Sequence, residues 1–204
     1  MLRKRIRKIL LFCLLTINII RGLPHLIILY LHKNRSSVIA DTKRWLSLME
    51  KEIRMPYGFI YLMVFYAQFR NLFYYRIGSD NFLLNILFRK VPTLTIATGS
   101  IGDGLFIPHG FSTTIGAQSI GKNCNINHNV TIGTVGGKPR PVIKDNVVIN
   151  AGAVVFGNIT IGNNVVIGAN STVNTNIPDN CTVFPPQSRI MKWKTNDEKS
   201  SEII

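Results

Sequence analysis

Aliphatic side chains recur every six residues through the second half of the chain, and few folds accept such a period. Ile120, Ile126 and Ile132 are six apart, and Ile143, Ile149, Val155, Ile161, Ile167 and Val173 continue at the same interval. Ile101 and Ile107 open the series. An α-helix repeats at 3.6 residues and a coiled coil at seven, so neither absorbs a strict six. The period fits a prism in which each short flat strand points one aliphatic inward, turns a corner and repeats. Three strands then close a coil of about 18 residues, and each coil pairs its backbone with the next. Glycine follows the aliphatic in Ile101-Gly102, Ile115-Gly116, Ile120-Gly121, Ile132-Gly133, Ile161-Gly162 and Ile167-Gly168, where a corner needs a permissive backbone. Roughly four coils are expected between residues 101 and 183.

The series loses phase once, between Ile132 and Ile143. The intervening stretch, Gly133 to Pro141 (GTVGGKPRP), cannot enter a packed column, so residues 133–142 are expected to leave one corner as a loop. Its three glycines and two basic residues suit contact with phosphate-bearing chains.

Ahead of Pro92 the texture differs. Trp45, Leu46 and Met49, the run Phe59 to Phe69, Phe73, and Phe82 to Leu87 have a helical character, with Pro56-Tyr57-Gly58 as the clearest break, so residues 36–90 are expected to form two or three helices. The formal net charge of +14 belongs to this half: residues 1–90 hold all but two of those charges, and the remainder is nearly neutral. A basic balance usually signals nucleic acid or anionic lipid, but the near-neutral prism excludes a chain-wide nucleic-acid wrap, and no nucleic-acid partner is expected. Five basic residues within Met1 to Lys8 precede the apolar run Ile9 to Ile20, and Arg21, Pro24 and His25 interrupt it before Leu26 to Leu31. Neither piece reaches the roughly 20 residues of a simple spanning helix. Three readings stay open: membrane-surface or hairpin-like association, a buried helix pair, and a transmembrane anchor.

Cys13, Cys124 and Cys181 are too few and too far apart for a disulfide framework or a zinc cluster, so no metal is expected. Of four histidines, His109 follows the inward Ile107 and precedes a glycine, hence stands near a prism corner, and His128 lies almost one coil further on. Asn127, Asn129 and Thr131 make that edge polar without an acid. Histidine titrates near neutrality and can take a proton from an attacking alcohol, an effect of about 10²- to 10⁴-fold. Cys124 has no obvious base and reads as structural.

These residues resemble the hexapeptide-repeat acyltransferases, and in detail the serine O-acetyltransferase branch with its relatives of bacterial surface-polysaccharide biosynthesis. The matching stretches are IGDGLFIPHG, IGKNCNINHNVTIG, the glycine loop with its closing Pro-Val-Ile, INAGAVVFGNITIGNNVVIGANSTV, and TVFPPQSRI; FRNLFYYRIG at 69–78 is more loosely similar to the family's helical domain. The resemblance implies an α+β chain: a helical segment over 1–90, a left-handed parallel β-helix of hexapeptide repeats over 91–184, and a tail over 185–204. It implies a homotrimer with acetyl-CoA as co-substrate in the groove between subunits and His109 as general base. It places the pantetheine arm along Ala151 and Ala169, with Thr131, Gly133 and Gly152 as further groove residues. His128, Asn129 and Arg140 are the candidates for a second polar group or acceptor contact.

The serine-specific pattern is incomplete. Pro108 replaces the family's aspartate before the histidine, residues 91–102 contain no acid, and the loop's Arg-His pair becomes Pro139-Arg140. Those groups would bind an amino-acid acceptor, so the expectation is an acetyl-CoA-dependent O-acetyltransferase acting on a sugar hydroxyl in surface-polysaccharide biosynthesis. Acetylation of L-serine to O-acetylserine for cysteine synthesis is the alternative, and a non-catalytic scaffold is a third reading. The expected location is the cytoplasm, with contact at the inner face of the cell membrane through the basic arm.

Overall fold

The computed structural model describes residues 2–78, 82–134, 136–137, 139–189, 191–192 and 202–203. Five helices come first: α1 (Leu2–Leu31), α2 (Arg35–Leu48), α3 (Tyr57–Phe65), α4 (Ala67–Ile77) and α5 (Phe82–Leu87). The break expected at Arg21 to His25 is absent, because α1 runs through it as one helix. Tertiary contacts explain the difference. Arg21 leaves the helix side to donate to the Leu87 carbonyl, with its guanidinium 4.5 Å from the Phe88 ring. His25 packs at the centre of the helical core, and Pro24 sits on the exposed side. Over Ile9–Leu31 this helix is long and apolar enough to cross a membrane. The region expected to hold two or three helices holds four, since Tyr66 adopts an extended backbone and splits α3 from α4. Arg70 caps that split, donating to the Met63 and Val64 carbonyls at 2.6 and 2.7 Å.

The prism follows, with five tiers rather than four, because it starts at Leu94, ahead of the first Ile-Gly pair. Its first face stacks β1 (Leu94–Ile96), β3 (Thr113–Ile115), β6 (Thr131–Gly133), β9 (Val154–Phe156) and β12 (Thr172–Val173). The second face stacks β2 (Ser100–Ile101), β4 (Ser119–Ile120), β7 (Val142–Ile143) and β10 (Thr160–Ile161), and the third stacks β5 (Asn125–Ile126), β8 (Val148–Ile149), β11 (Val166–Ile167) and β13 (Thr182–Val183). All neighbours in the three faces are parallel and in register: Ile120 pairs with Ile143, Ile126 with Ile149, Ile132 with Val155. These side chains are buried, so the six-residue series is the inner column. Helices and a parallel solenoid of this kind are consistent with a left-handed β-helix. In the tail, β14 (Met191–Lys192) pairs antiparallel with β15 (Glu202–Ile203), and the segment between them, 193–201, lies outside the described residues.

The corner between the second and third faces explains the asparagines. Asn123, Asn146, Asn164 and Asn180 all take left-handed φ, between 57° and 60°, which Asn tolerates better than other side-chain-bearing residues. Asn146 donates to Asn164 and Asn164 to Asn180, at 3.0 and 2.8 Å, forming a ladder down the edge.

The helices close the first tier. Asp41 and Arg76 form a buried ion pair at 2.9 Å. Arg76 also donates to the Ile101 and Gly102 carbonyls, and Asp41 accepts from the Gly104 N–H at 2.6 Å. Burial raises the Asp41 pKa, and its hydrogen bonds to Arg76 and Gly104 oppose that. Trp45 donates its indole N–H to the Leu105 carbonyl at 2.7 Å, and Arg44 reaches Asn123 and Asn125 of the next tier. One hydrophobic core thus runs from α1 to Val173.

Candidate functional site

The corner joining the third face to the first holds most of the candidate residues. Each of the first four tiers has an inward aliphatic there, Ile107, Ile126, Ile149 or Ile167, and the residue two positions later stands at the corner. Those four residues are His109, His128, Ala151 and Ala169. Backbone bonds hold the tiers together: Asn129 N–H to the Phe111 carbonyl (3.1 Å), Gly152 N–H to the His128 carbonyl (3.1 Å), and Asn170 N–H to the Ala151 carbonyl (2.9 Å). Asn129, Gly152 and Asn170 all have positive φ, so each corner turns the same way. A side chain at Gly152 would in addition place its Cβ 2.1 Å from the Asn170 amide oxygen.

The His109 corner is wider than those below it. Phe106 pairs with Asn125 and Thr114 with Thr131, so its tier spends two more residues between these partners than the next one does. The extra residues make a bulge, Pro108-His109-Gly110-Phe111-Ser112, that presents an exposed His109. Gly110 has no room for a Cβ, which would stand 2.7 Å from Leu94 and 2.9 Å from Gln68 of α4. Helix packing therefore fixes the backbone beside the histidine. The two imidazoles meet edge to face, with centroids 5.9 Å apart and planes at 75°. Phe111 stacks on His128 at 4.7 Å and 24°. The His128 Nδ1 is buried without a hydrogen-bond partner. Phe111 was not among the candidate residues; its only signal is its place two residues beyond His109 in the same bulge.

Charge is sorted by corner. The three aspartates of the prism's described residues, Asp103, Asp145 and Asp179, all occupy the corner between the second and third faces. There they serve structure: Asp145 accepts from the Lys122 N–H at 2.7 Å and Asp179 from the Asn163 N–H at 2.8 Å. Hydrogen bonds from Asn163 hold the Asp179 pKa below its usual value. Asp41 and Arg76 make the only ion pair among the described residues, so neither His109 nor His128 is paired with a carboxylate. Cys124 is buried, donates to the Lys144 carbonyl at 3.1 Å, and burial pushes its pKa up to about 11, which removes it as a thiolate nucleophile.

The glycine loop leaves the remaining corner, between the first and second faces. Gly136 and Gly137 turn with positive φ, while Val135 and Lys138 lie outside the described residues. Arg140 donates to the Ala97 carbonyl at 2.6 Å and lines a cavity of about 500 Å³ with Gly99, Ala117, Gln118, Gly137 and Pro139. Arg140 was expected to assist near the acceptor, yet within one chain it occupies a different corner from His109. The first face separates them, and Thr131 and Gly133 lie on that face. His109, His128, Asn129, Ala151, Gly152 and Ala169 do share one edge. Among the described residues no three His, Cys, Asp or Glu side chains gather in a way that could hold a metal ion.

Residues 140–175 match the family described as bacterial transferase hexapeptide (six repeats). A serine acetyltransferase of Synechococcus elongatus is 37% identical over 114 residues, 53% of this chain and 47% of that protein. One from Staphylococcus aureus is 48% identical over 96 residues, 45% of each. The chain thus spans about half the length of these relatives. Among solved structures, Entamoeba histolytica serine acetyltransferase isoform 3 in complex with cysteine superposes with a TM-score of 0.60 at 30% identity, over 80% of this chain and 62% of that one. Neisseria gonorrhoeae serine acetyltransferase in complex with serine gives 0.60 at 29%, over 76% and 67%. With a repeat that matches in sequence and a fold that matches from the helices through the prism, the chain carries the hexapeptide transferase repeat over residues 140–175 and is similar to the serine acetyltransferase-like branch of such transferases.

Proposed function

We propose that the chain is an acetyl-CoA-dependent O-acetyltransferase in which His109 is the general base. The observation that carries this reading is the vertical alignment of His109 and His128 above Ala151 and Ala169 on one edge. Small side chains below the histidines leave the lower edge open for an extended pantetheine arm, and the thioester then ends beside the exposed imidazole. The acceptor oxygen attacks the thioester carbonyl while His109 takes its proton. The C–S bond then breaks, and the proton passes from the imidazolium to the departing CoA thiolate. The remaining acceleration comes from holding hydroxyl and thioester together.

Homotrimeric assembly would set the Arg140 corner of one copy against the His109 corner of the next, which would bring together the two groups that a single chain keeps apart. Sedimentation of the purified protein tests this, and a monomer that retains full activity would overturn it.

For the acceptor, the comparisons support L-serine over the sugar hydroxyl expected first: the relatives named above are serine acetyltransferases, and one neighbour was solved with serine. Serine acetylation is therefore the leading reading. One observation favours a neutral acceptor as the second: Pro108 precedes His109, and the prism's described aspartates all face another corner, so no carboxylate beside the histidines meets serine's ammonium group. Supplying acetyl-CoA with L-serine and, separately, with a panel of sugars while following release of the CoA thiol decides between them. Serine-dependent release is the expected result. Release with a sugar but not with serine would reverse the order, and release with neither would remove the activity.

A further inference from the structure

The surface of α1 that faces away from the protein carries apolar residues along its whole length. Leu15, Gly22, His25, Leu26 and Leu29 turn inward and are buried. On the opposite side Ile6, Ile9, Leu10, Ile17, Ile20, Ile27 and Leu31 are exposed at helical spacing, with Ile20 at 78% and Leu31 at 81%. From Ile6 to Leu31 this stripe is about 38 Å long at the rise of an α-helix. A soluble surface rarely leaves so long an apolar strip uncovered.

Charge selects what covers it. Residues 1–40 contain no Asp or Glu; the first acid is Asp41, which is buried against Arg76. Arg3, Lys4, Arg5, Arg7 and Lys8 stand at one end of the stripe in sequence, and exposed Lys33 and Arg35 stand just past the other. A second copy laid along α1, parallel or antiparallel, would stack cations on cations. An anionic bilayer supplies the opposite charge at both ends and an apolar layer between them.

We propose that α1 docks the protein on an anionic lipid bilayer, lying in the headgroup plane with its outward stripe inserted. Packing sets the helix flat rather than across the membrane. The inward side is locked to the protein, so closely at Gly22 that a Cβ there would stand 2.5 Å from the Ile60 side chain, and a spanning helix would have to abandon that contact. The proposal is independent of acetyl transfer and of the acceptor.

Flotation of the full-length protein on a density gradient tests it, because aggregates sink whereas vesicle-bound protein rises. With vesicles of phosphatidylcholine containing about a third phosphatidylglycerol the protein should float at low salt, and about tenfold less with phosphatidylcholine alone or at high salt. The double substitution Ile17→Glu and Ile20→Glu should lower flotation about tenfold without changing the melting temperature or the sedimenting mass. Should that variant fail to fold, replacing Arg3, Lys4, Arg5, Arg7 and Lys8 by Gln leaves the stripe intact and should abolish the lipid-charge dependence. The proposal is overturned if the wild-type protein stays at the bottom with anionic vesicles. It is equally overturned if the double variant floats like wild type, or if that variant changes the sedimenting mass and not flotation, which would assign the stripe to a second copy.

Discussion

The helical half and the prism solve the same packing problem by opposite means. In the helical half each contact is unique: the His25 Nε2 hydrogen-bonds with the Tyr74 hydroxyl, which also reaches the Leu84 and Phe88 carbonyls, and Trp45 packs edge-on against Tyr66, Phe69 and Phe106. In the prism one contact is reused tier after tier, an aliphatic above its counterpart. A repeated contact tolerates a local change and offers few places for chemistry. Repetition fails at two places, the bulge of two extra residues around His109 and the loop before Arg140, and the proposed general base stands at the first of them.

The sharpest test of that contrast is His109→Ala. Acetyl transfer should fall by about 10²- to 10⁴-fold, as for loss of a general base, with the melting temperature unchanged. A change in stability with retained turnover would make the bulge structural. Next in size is Asp41→Ala, which strands the buried Arg76 at the joint between the halves. A loss of about 3–5 kcal/mol is expected in urea unfolding, and a single unfolding transition should separate into two as the halves uncouple.

The helical half also carries a pH dependence of stability. His25 is buried, its Nε2 lies 2.9 Å from the Tyr74 hydroxyl, and its Nδ1 is buried without a hydrogen-bond partner, a setting that disfavours the charged ring. Burial lowers its pKa from 6.5 to about 4. Because the unfolded chain binds a proton that the fold rejects, this contribution is complete above about pH 6.5 and disappears as the pH falls to about 4, a loss of about 3 kcal/mol. Urea midpoints of wild type and His25→Phe across that window check it: the substituted protein should show a flatter profile. The smallest effect is in the prism. Asn146→Ala places a Cβ-bearing residue without local hydrogen-bonding capacity at left-handed φ and cuts one rung of the ladder, for about 1 kcal/mol, and Asn146→Gly should recover most of it.

How much was legible follows from the same contrast. A strict interval survives any reading frame, so the column from Ile101 to Val173, the corner loop and the alignment of His109 with His128 could be read from spacing. Leu94-Thr95-Ile96 was missed as a tier because no glycine follows it. The continuity of α1 was hidden because Arg21 and Pro24 look like breakers until Phe88 and the Leu87 carbonyl supply a place for the guanidinium. The Asp41–Arg76 joint had no local signature, being 35 residues apart on two helices. Spacing also could not separate acceptors, since Pro108 argues against serine by what it lacks whereas the relatives argue for it by what they are.

The Asn ladder and the aliphatic column share a weakness: both look the same after a shift of one tier. A strand stacked one tier too high would still find Asn beside Asn and Ile over Val, so neither feature counts tiers. Arg44, gripping Asn123 and Asn125 from α2, and Trp45, tied to the Leu105 carbonyl, occur only once. They fix which tier is first, and the two extra residues around His109 fix which is second. The helices thus act as the origin of a ruler whose marks are otherwise identical, which keeps His109 from being built at the wrong height.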